Sequence, residues 1–397
     1  MEWRWEAGLD GGKGIGARTR WWGGAALLRW RGLWHNLRMR TVTRWNVVAG
    51  GAATMAGGQG GSPVVRLPQK VRVAMLGLEG HISEVLTPLP QIPDVEIVAY
   101  AEPEAGARRQ ALGNRRLAAA KSYNDYRAML DQEKPDMVSV CNPNGERAAA
   151  IVACLERRMH VVAEKPLAIE REDLEKVRRA LEKSGARLTM LLPMRYWPPF
   201  LALRQIVESG QIGEVAQIGA QKSYKVGARP AWMLRRASYG GTIPWIGIHM
   251  VDLMRWSSGR EFTEVASFQS RVGAPEMGEM ENTTGSLFRL DNGGVAALRM
   301  DYLRPESATT HGDDRLRLAG TRGIAEYQAS TGVTLMTAGE KPRTLGILPK
   351  PRWLFVEFLE SVYGGKPETL RVPDIFRVNE IVLKAREAAE RGQIVRL

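Results

Sequence analysis

Between residues 71 and 183, short apolar runs alternate with helical stretches at close spacing, and this alternation fixes most of what the chain can fold into. Val71–Leu76, Val95–Tyr100, Met137–Cys141 and Met159–Ala163 read as strands, with a brief one at Lys121 and Ser122. Helical stretches fall at about Glu104–Leu112, Asn124–Leu130, Glu146–Arg157 and Glu170–Lys183, while Pro88, Pro90 and Pro93 cut short the one after the first strand. Strands that take turns with helices pair in parallel through right-handed crossovers. The expectation over 70–190 is therefore a doubly wound, nucleotide-binding sheet.

The pattern changes after about Leu192. A helix over Phe200–Ser209 leads into Val215–Tyr224, and strand-like runs then dominate: Val265–Arg271, Thr283–Leu290, Val295–Tyr302, Arg315–Leu318, Ile324–Gln328 and Val333–Met336. Asp291-Asn-Gly-Gly294 reads as a hairpin turn between two of them. Residues 191–397 thus read as an α+β domain with a mostly antiparallel open sheet, closed by helices at about Arg352–Tyr363 and Pro373–Arg391. The fold class is α/β, and the last helices are expected to pack back towards the first domain.

Residues 1–62 differ from the rest. They hold seven of the 12 tryptophans, and nine Lys/Arg against three acids. Neither helical nor strand periodicity runs through them. The readings left open are a start at Met39 or Met55, an unstructured basic tail, and an export signal around Arg38, Arg40 and Arg44. The other residues carry 47 Lys/Arg and 40 acids, interspersed, which describes a solvated surface rather than a nucleic-acid stripe. Two cysteines allow neither a disulfide framework nor a zinc spacing, and no apolar run reaches membrane-spanning length. A cytoplasmic protein fits these features.

Glu164-Lys165-Pro166 closes the strand at Met159–Ala163, and the carboxyl end of a parallel strand is where open α/β sheets bind ligands. Lysine there can donate to a sugar hydroxyl, or exchange its proton if burial lowers its pKa. Other landmarks stand in sequence order: Pro135-Asp136, Asn142-Pro143-Asn144, Arg195-Tyr196, Gly210-Gln-Ile-Gly-Glu-Val215, Trp232, Gly240-Gly241, His249-x-x-Asp252 and Gly320-Thr-Arg-Gly323. From about Val71 to Leu397 the chain resembles the Gfo/Idh/MocA oxidoreductases, the family of glucose-fructose oxidoreductase and inositol dehydrogenase.

The resemblance implies a Rossmann domain binding NAD or NADP, and a second domain carrying a sugar or cyclitol site and forming a homodimer or homotetramer. It gives Lys165 and His249 the proton transfer that accompanies hydride transfer. Asp252 shares a helical face with His249, whereas a lone His/Asp pair supplies too few ligands for a metal. Gly77, Leu78, Gly80, Glu102, Asn142, Pro143, Asn144, Glu164 and Lys165 are the expected cofactor contacts. Arg195, Tyr196, Trp232, Trp245 and His249 are the expected substrate contacts, with Tyr239 a further aromatic platform.

Two positions depart from the family pattern. The glycine fingerprint keeps Gly77, but its second and third places fall on Glu79 and Ile82, with Gly80 one residue late. His81 or Ser83 then becomes a candidate donor. An aspartate usually stands four residues before the histidine; here it is Trp245, which can stack on a sugar ring but cannot accept that hydrogen bond. Asp252 is the candidate substitute. Glu102, 25 residues after Gly77, favours NAD, while Arg108 and Arg109 keep NADP open. The polar cluster His311, Asp313 and Asp314 reads as a solvated turn. Hydride transfer on a sugar, cyclitol or sugar derivative is the leading expectation. The alternatives are transient oxidation used for elimination or glycosidic cleavage, and a homologue that binds a ligand or partner without turnover.

Overall fold

The computed structural model describes residues 63–397, so the readings made for 1–62 lie outside the described residues. Six parallel strands form the first sheet: β1 Val71–Leu76, β2 Val95–Ala101, β3 Lys121–Tyr123, β4 Met137–Val140, β5 His160–Ala163 and β6 Leu188–Met190. Their order is β3-β2-β1-β4-β5-β6. The chain reverses direction between β1 and β4, which opens a crevice at their carboxyl ends. Val73, Met75, Val138, Val140, Val161 and Val162 are all fully buried, as expected for a sheet covered on both faces. β6, which the sequence did not reveal, adds the last strand of this sheet.

Helices α1 Ser83–Leu86, α2 Ala105–Ala111, α3 Arg115–Ala118, α4 Tyr126–Glu133, α5 Asn144–Glu156 and α6 Arg171–Ser184 connect or cover these strands. Helix α1 is a single turn, because Pro88 follows at once and the next turn, Leu89–Gln91, carries Pro90. The glycine loop therefore lacks the long helix that usually follows it.

The second sheet has nine strands: β7 Val215–Tyr224, β8 Phe262–Ser270, β9 Thr283–Leu290, β10 Val295–Asp301, β11 Gly312–Gly320, β12 Gly323–Gln328, β13 Gly332–Thr337, β14 Arg343–Thr344 and β15 Val395–Arg396. The β7–β10 pair is parallel and the other pairings are antiparallel. β11 begins three residues before the strand predicted from sequence. It absorbs Asp313 and Asp314, so these are strand residues rather than a solvated turn.

Helices α7 Pro198–Glu208, α8 Arg236–Tyr239, α9 Ile248–Ser258, α10 Leu354–Gly364 and α11 Val372–Arg391 complete the second half. A π-helical turn, Ile243–Gly247, runs into α9 and carries Trp245. α11 returns to the first sheet: Asn379 Oδ1 accepts from Leu167 N at 2.9 Å, and Arg386 donates to the carbonyls of Ile169 and Gly240.

Candidate active site

The chemistry converges where β5 ends. Glu164 is fully buried and Lys165 is 2% exposed. Lys165 Nζ donates to the Trp245 carbonyl at 2.8 Å, lies 3.2 Å from the centroid of the Trp245 ring, and stands 3.7 Å from Glu164 Oε1. Burial is the largest influence on this amine and drives its pKa down from 10.5 to about 7; Arg147, Lys222 and Arg229 add to the fall, while Glu164 opposes it. A fully buried arginine, Arg147, holds the backbone here by donating to the carbonyls of Asn142, Lys165 and Pro166.

Glu164 in turn is held by His81, whose Nδ1 lies 2.8 and 3.0 Å from its two carboxylate oxygens. Desolvation raises the Glu164 pKa, but His81, Lys165 and Arg147 outweigh it and leave the carboxyl below its ordinary range. Gly80 makes this contact possible. Its φ is +65°, and a Cβ there would meet the Glu164 carboxylate at 2.7 Å. The late glycine thus serves Glu164, and His81, expected as a donor to the dinucleotide, is engaged with this carboxylate instead.

His249, on α9, is 5% exposed, and its Nδ1 is buried without a hydrogen-bond partner. Desolvation first, then the charges of Lys165, Lys222 and His81, hold its pKa well below 6.5. The ring is therefore neutral at pH 7. It packs edge-on against His81 with centroids 5.1 Å apart.

Asp252 does not take the place of the missing aspartate. Both of its oxygens accept from Arg195, at 2.8 and 2.5 Å, and both side chains are buried. Asp252 is spent on an ion pair, and Arg195 is held inside rather than presented to a cleft. Tyr196 is likewise 2% exposed, with its hydroxyl donating to Glu357 at 2.8 Å. Tyr239 is fully buried against Thr242 and Tyr302, so it is no open platform. Trp232 is the aromatic that does reach across: its Nε1 donates to Glu79 Oε1 at 3.1 Å, and its ring meets Trp245 edge-on at 5.9 Å.

The sequence reading missed Lys222. It is fully buried on β7, donating to Asp314 Oδ2 at 2.9 Å. The signal was there: Lys222 falls in period two with Ile218 and Ala220, so strand alternation places a lysine on a buried face.

The residues at the carboxyl edge fit a nicotinamide dinucleotide near its two ends. Gly77 has φ +74°, and a Cβ there would meet the Cys141 carbonyl at 2.5 Å, so the tight turn of the fingerprint is kept. Glu102 ends the crevice side of β2, and Asn142 Oδ1 is a buried acceptor left without a partner beside Lys165. Asn144 is committed elsewhere, donating to the Tyr239 carbonyl at 2.8 Å and accepting from Arg147. Pro143 is half-buried between them. The diphosphate region differs. The Leu78 N–H donates to Glu102 Oε2 at 3.1 Å and the Glu79 N–H to the Cys141 carbonyl at 3.0 Å. Burial raises the Glu79 pKa, with the Trp232 hydrogen bond opposing it.

A surface cavity of about 480 Å³ lies at the other end of the parallel strands and is lined by Asp136, Arg158, His160 and Tyr363. Of the landmark residues only Pro135 and Asp136 line it, and none of the candidate site residues does. The candidate site is the buried cluster at Lys165, where perturbed amine, imidazole and carboxyl groups meet at the edge on which such sheets bind ligands. Among the described residues no His, Cys, Asp and Glu group is placed to hold a metal, and no helix is long and apolar enough to cross a membrane.

Comparison with known proteins places this architecture. Residues 71–192 match the family model described as oxidoreductase family, NAD-binding Rossmann fold, and residues 200–326 match the GFO/IDH/MocA C-terminal domain. A solved structure of a candidate oxidoreductase from Thermotoga maritima is 34% identical with a TM-score of 0.78, covering 82% of this chain and all (100%) of that one. The chain belongs to the Gfo/Idh/MocA oxidoreductase family. Inositol 2-dehydrogenase of Salmonella paratyphi B is 29% identical over 223 residues, 54% of this chain and 63% of that enzyme, so the match spans less than two thirds of its length. D-glucoside 3-dehydrogenase of Escherichia coli is 29% identical over 228 residues, 53% of this chain and 63% of that enzyme.

Proposed function

We propose that this chain is a nicotinamide-dependent dehydrogenase acting on a sugar, a cyclitol or a derivative of one. The observation that carries the reading is Lys165: a buried amine at the carboxyl end of β5 with its pKa drawn down to about 7, beside a neutral His249 with an unpartnered ring nitrogen. Half-deprotonated near neutrality, such an amine can take a hydroxyl proton as the carbon is oxidised, or return it in the reverse direction. His249 Nδ1 is a free donor or acceptor for the same oxygen. The bound cofactor would supply hydride acceptance. Gly77, Leu78, Glu102, Asn142 and Glu164 are the residues that would hold it.

NAD is the better fit than NADP. Glu102 is 5% exposed at the end of β2, where an acid serves a ribose diol and repels a 2′-phosphate. Arg108 is turned to the carbonyls of Glu102 and Pro103, at 2.6 and 2.7 Å. Assembly as a homodimer or homotetramer agrees with the exposed apolar side chains Phe268, Leu287 and Val295 on the second sheet. Two free, buried cysteines agree with a cytoplasmic location.

One observation favours a second reading, in which the chain binds a ligand without redox turnover: Glu79 stands at the second glycine place and is tied to Trp232. Fluorescence titration with NADH and NADPH separates the two. Binding of NADH, followed by sugar- or cyclitol-dependent reduction of NAD that Lys165→Ala abolishes, supports the dehydrogenase. No nucleotide binding at millimolar concentration rejects it in favour of the second reading.

A further inference from the structure

We infer that the substrate carries a carboxylate, and that Arg229 is the side chain that recognises it; this rests on the sugar or cyclitol reading of the Lys165 site. Arg229 is a partly exposed arginine with no carboxylate to answer it among the described residues. Among the described residues it forms no ion pair, and its Nε is buried with no acceptor. Among the described residues its sole hydrogen bond is a long one, Nη2 to the Lys225 carbonyl at 3.3 Å.

A continuous row of side chains joins Arg229 to the amine. Its guanidinium lies over the Tyr302 ring, 4.9 Å from the centroid. The Tyr302 hydroxyl is 3.3 Å from that of Tyr239, the Tyr239 ring is 6.2 Å from Trp245, and Trp245 covers Lys165. Arg229 is also close enough for its charge to disfavour protonation of Lys165.

The other cations on this wall are provided for. Lys222 is matched by Asp314, and Lys225 Nζ donates to the Glu306 carbonyl at 2.7 Å. Arg229 leaves one positive charge and at least one donor unmatched. A neutral polyol would satisfy neither need well. A carboxylate supplies one negative charge and two acceptors in the planar spacing of a guanidinium. A phosphate dianion would leave an excess negative charge in a site whose amine is half neutral at pH 7. The inferred class is therefore a sugar acid, such as a uronate or an aldonate.

The test is a binding titration of the full chain, with and without NADH, followed by tryptophan fluorescence. The probes are glucuronate, gluconate, glucose, myo-inositol and glucose 6-phosphate. The carboxylates are expected to bind roughly tenfold or more tighter than the neutral pair, the range of a charge-assisted hydrogen bond. Arg229→Gln should remove that preference while leaving nucleotide affinity unchanged, and Arg229→Lys should restore part of it. Equal binding of glucose and glucuronate by the unaltered protein overturns the inference whether or not the variants fold. So does a carboxylate preference that survives Arg229→Gln, or tighter binding of the phosphate. Neutral sugars binding alone would sink the carboxylate and leave the sugar site standing. If neither class binds, both readings fall.

Discussion

Lys165 Nζ and Trp245 meet twice: the amine donates to the Trp245 carbonyl at 2.8 Å and sits 3.2 Å from the centre of its indole. One residue thus supplies both a hydrogen-bond acceptor and an aromatic wall to a buried lysine. The resemblance leads one to expect an aspartate at this position, acting on the histidine; the tryptophan found here acts on Lys165 instead. The indole keeps water off the amine, and so lowers its proton affinity, while a cation over its face is partly compensated.

The pH dependence follows from that burial. The folded pKa of Lys165, about 7, lies below its ordinary 10.5. The unfolded chain therefore binds more protons between those values, and stability contributed by this group rises as pH goes from 7 to 10.5. Below pH 7 the protonated amine is buried at full cost. Lys165→Met is expected to stabilise the fold there by on the order of a few kcal/mol, and to lose that advantage towards pH 10.5. Chemical denaturation of both proteins at pH 6 and pH 10 checks it.

In the oxidative direction, turnover should rise with pH through about 7 as Lys165 loses its proton. Lys165→Ala should lower it by roughly 10²- to 10⁴-fold, the range for a positioned acid–base group. A pH–rate profile of the wild type that is flat from 6 to 8 would contradict the assignment.

Trp245→Ala admits water to the amine. The Lys165 pKa should rise, moving the rising limb of the pH profile above 7. Removing a buried tryptophan should also cost roughly 3–5 kcal/mol of stability. Trp245→Phe keeps an aromatic face and should hold the profile near its original position.

Arg195 and Asp252 offer a contrast. Replacing Asp252 by Asn or Ala removes the buried two-point partner of Arg195, leaves it only the longer contact to Asp374 at 3.6 Å, and should cost about 3–5 kcal/mol. Whatever folded enzyme remains should keep the pH profile of the wild type. A shifted profile would restore Asp252 to the proton transfer.

Gly80→Ala tests the loop. The new methyl would meet the Glu164 carboxylate at 2.7 Å with φ at +65°. Destabilisation of roughly 1–3 kcal/mol is expected, with the His81–Glu164 contact displaced. The His81 imidazole resonances report that displacement directly.

The sheet was legible because its strands are continuous apolar runs with helices between them, and Lys165 was legible because a proline fixes the end of its strand. β6 was not, since Leu188–Met190 is too short to stand out beside the helix before it. The site was legible by residue type and less so by partner. His249-x-x-Asp252 reads as a pair, but which carboxylate meets which base depends on contacts far apart in the chain, and Arg195 is 57 residues from Asp252. Glu79 and Gly80 read as a damaged fingerprint; in space Gly80 is the room that Glu164 needs. Lys222 went unseen because a lysine in a strand suggests an exposed face, although its period with Ile218 and Ala220 says otherwise.

Helix α11 sets a limit on how this protein can be divided. Asn379 and Arg386 tie it to the segment after β5, and its Ile375, Val378 and Val382 are fully buried. A fragment ending near residue 192 would carry every strand of the nucleotide fold and still lack the side chains that cover it. Expressed alone, that fragment is expected to aggregate, and its recovery on co-expression with the complementary piece would measure how much of its solubility α11 supplies.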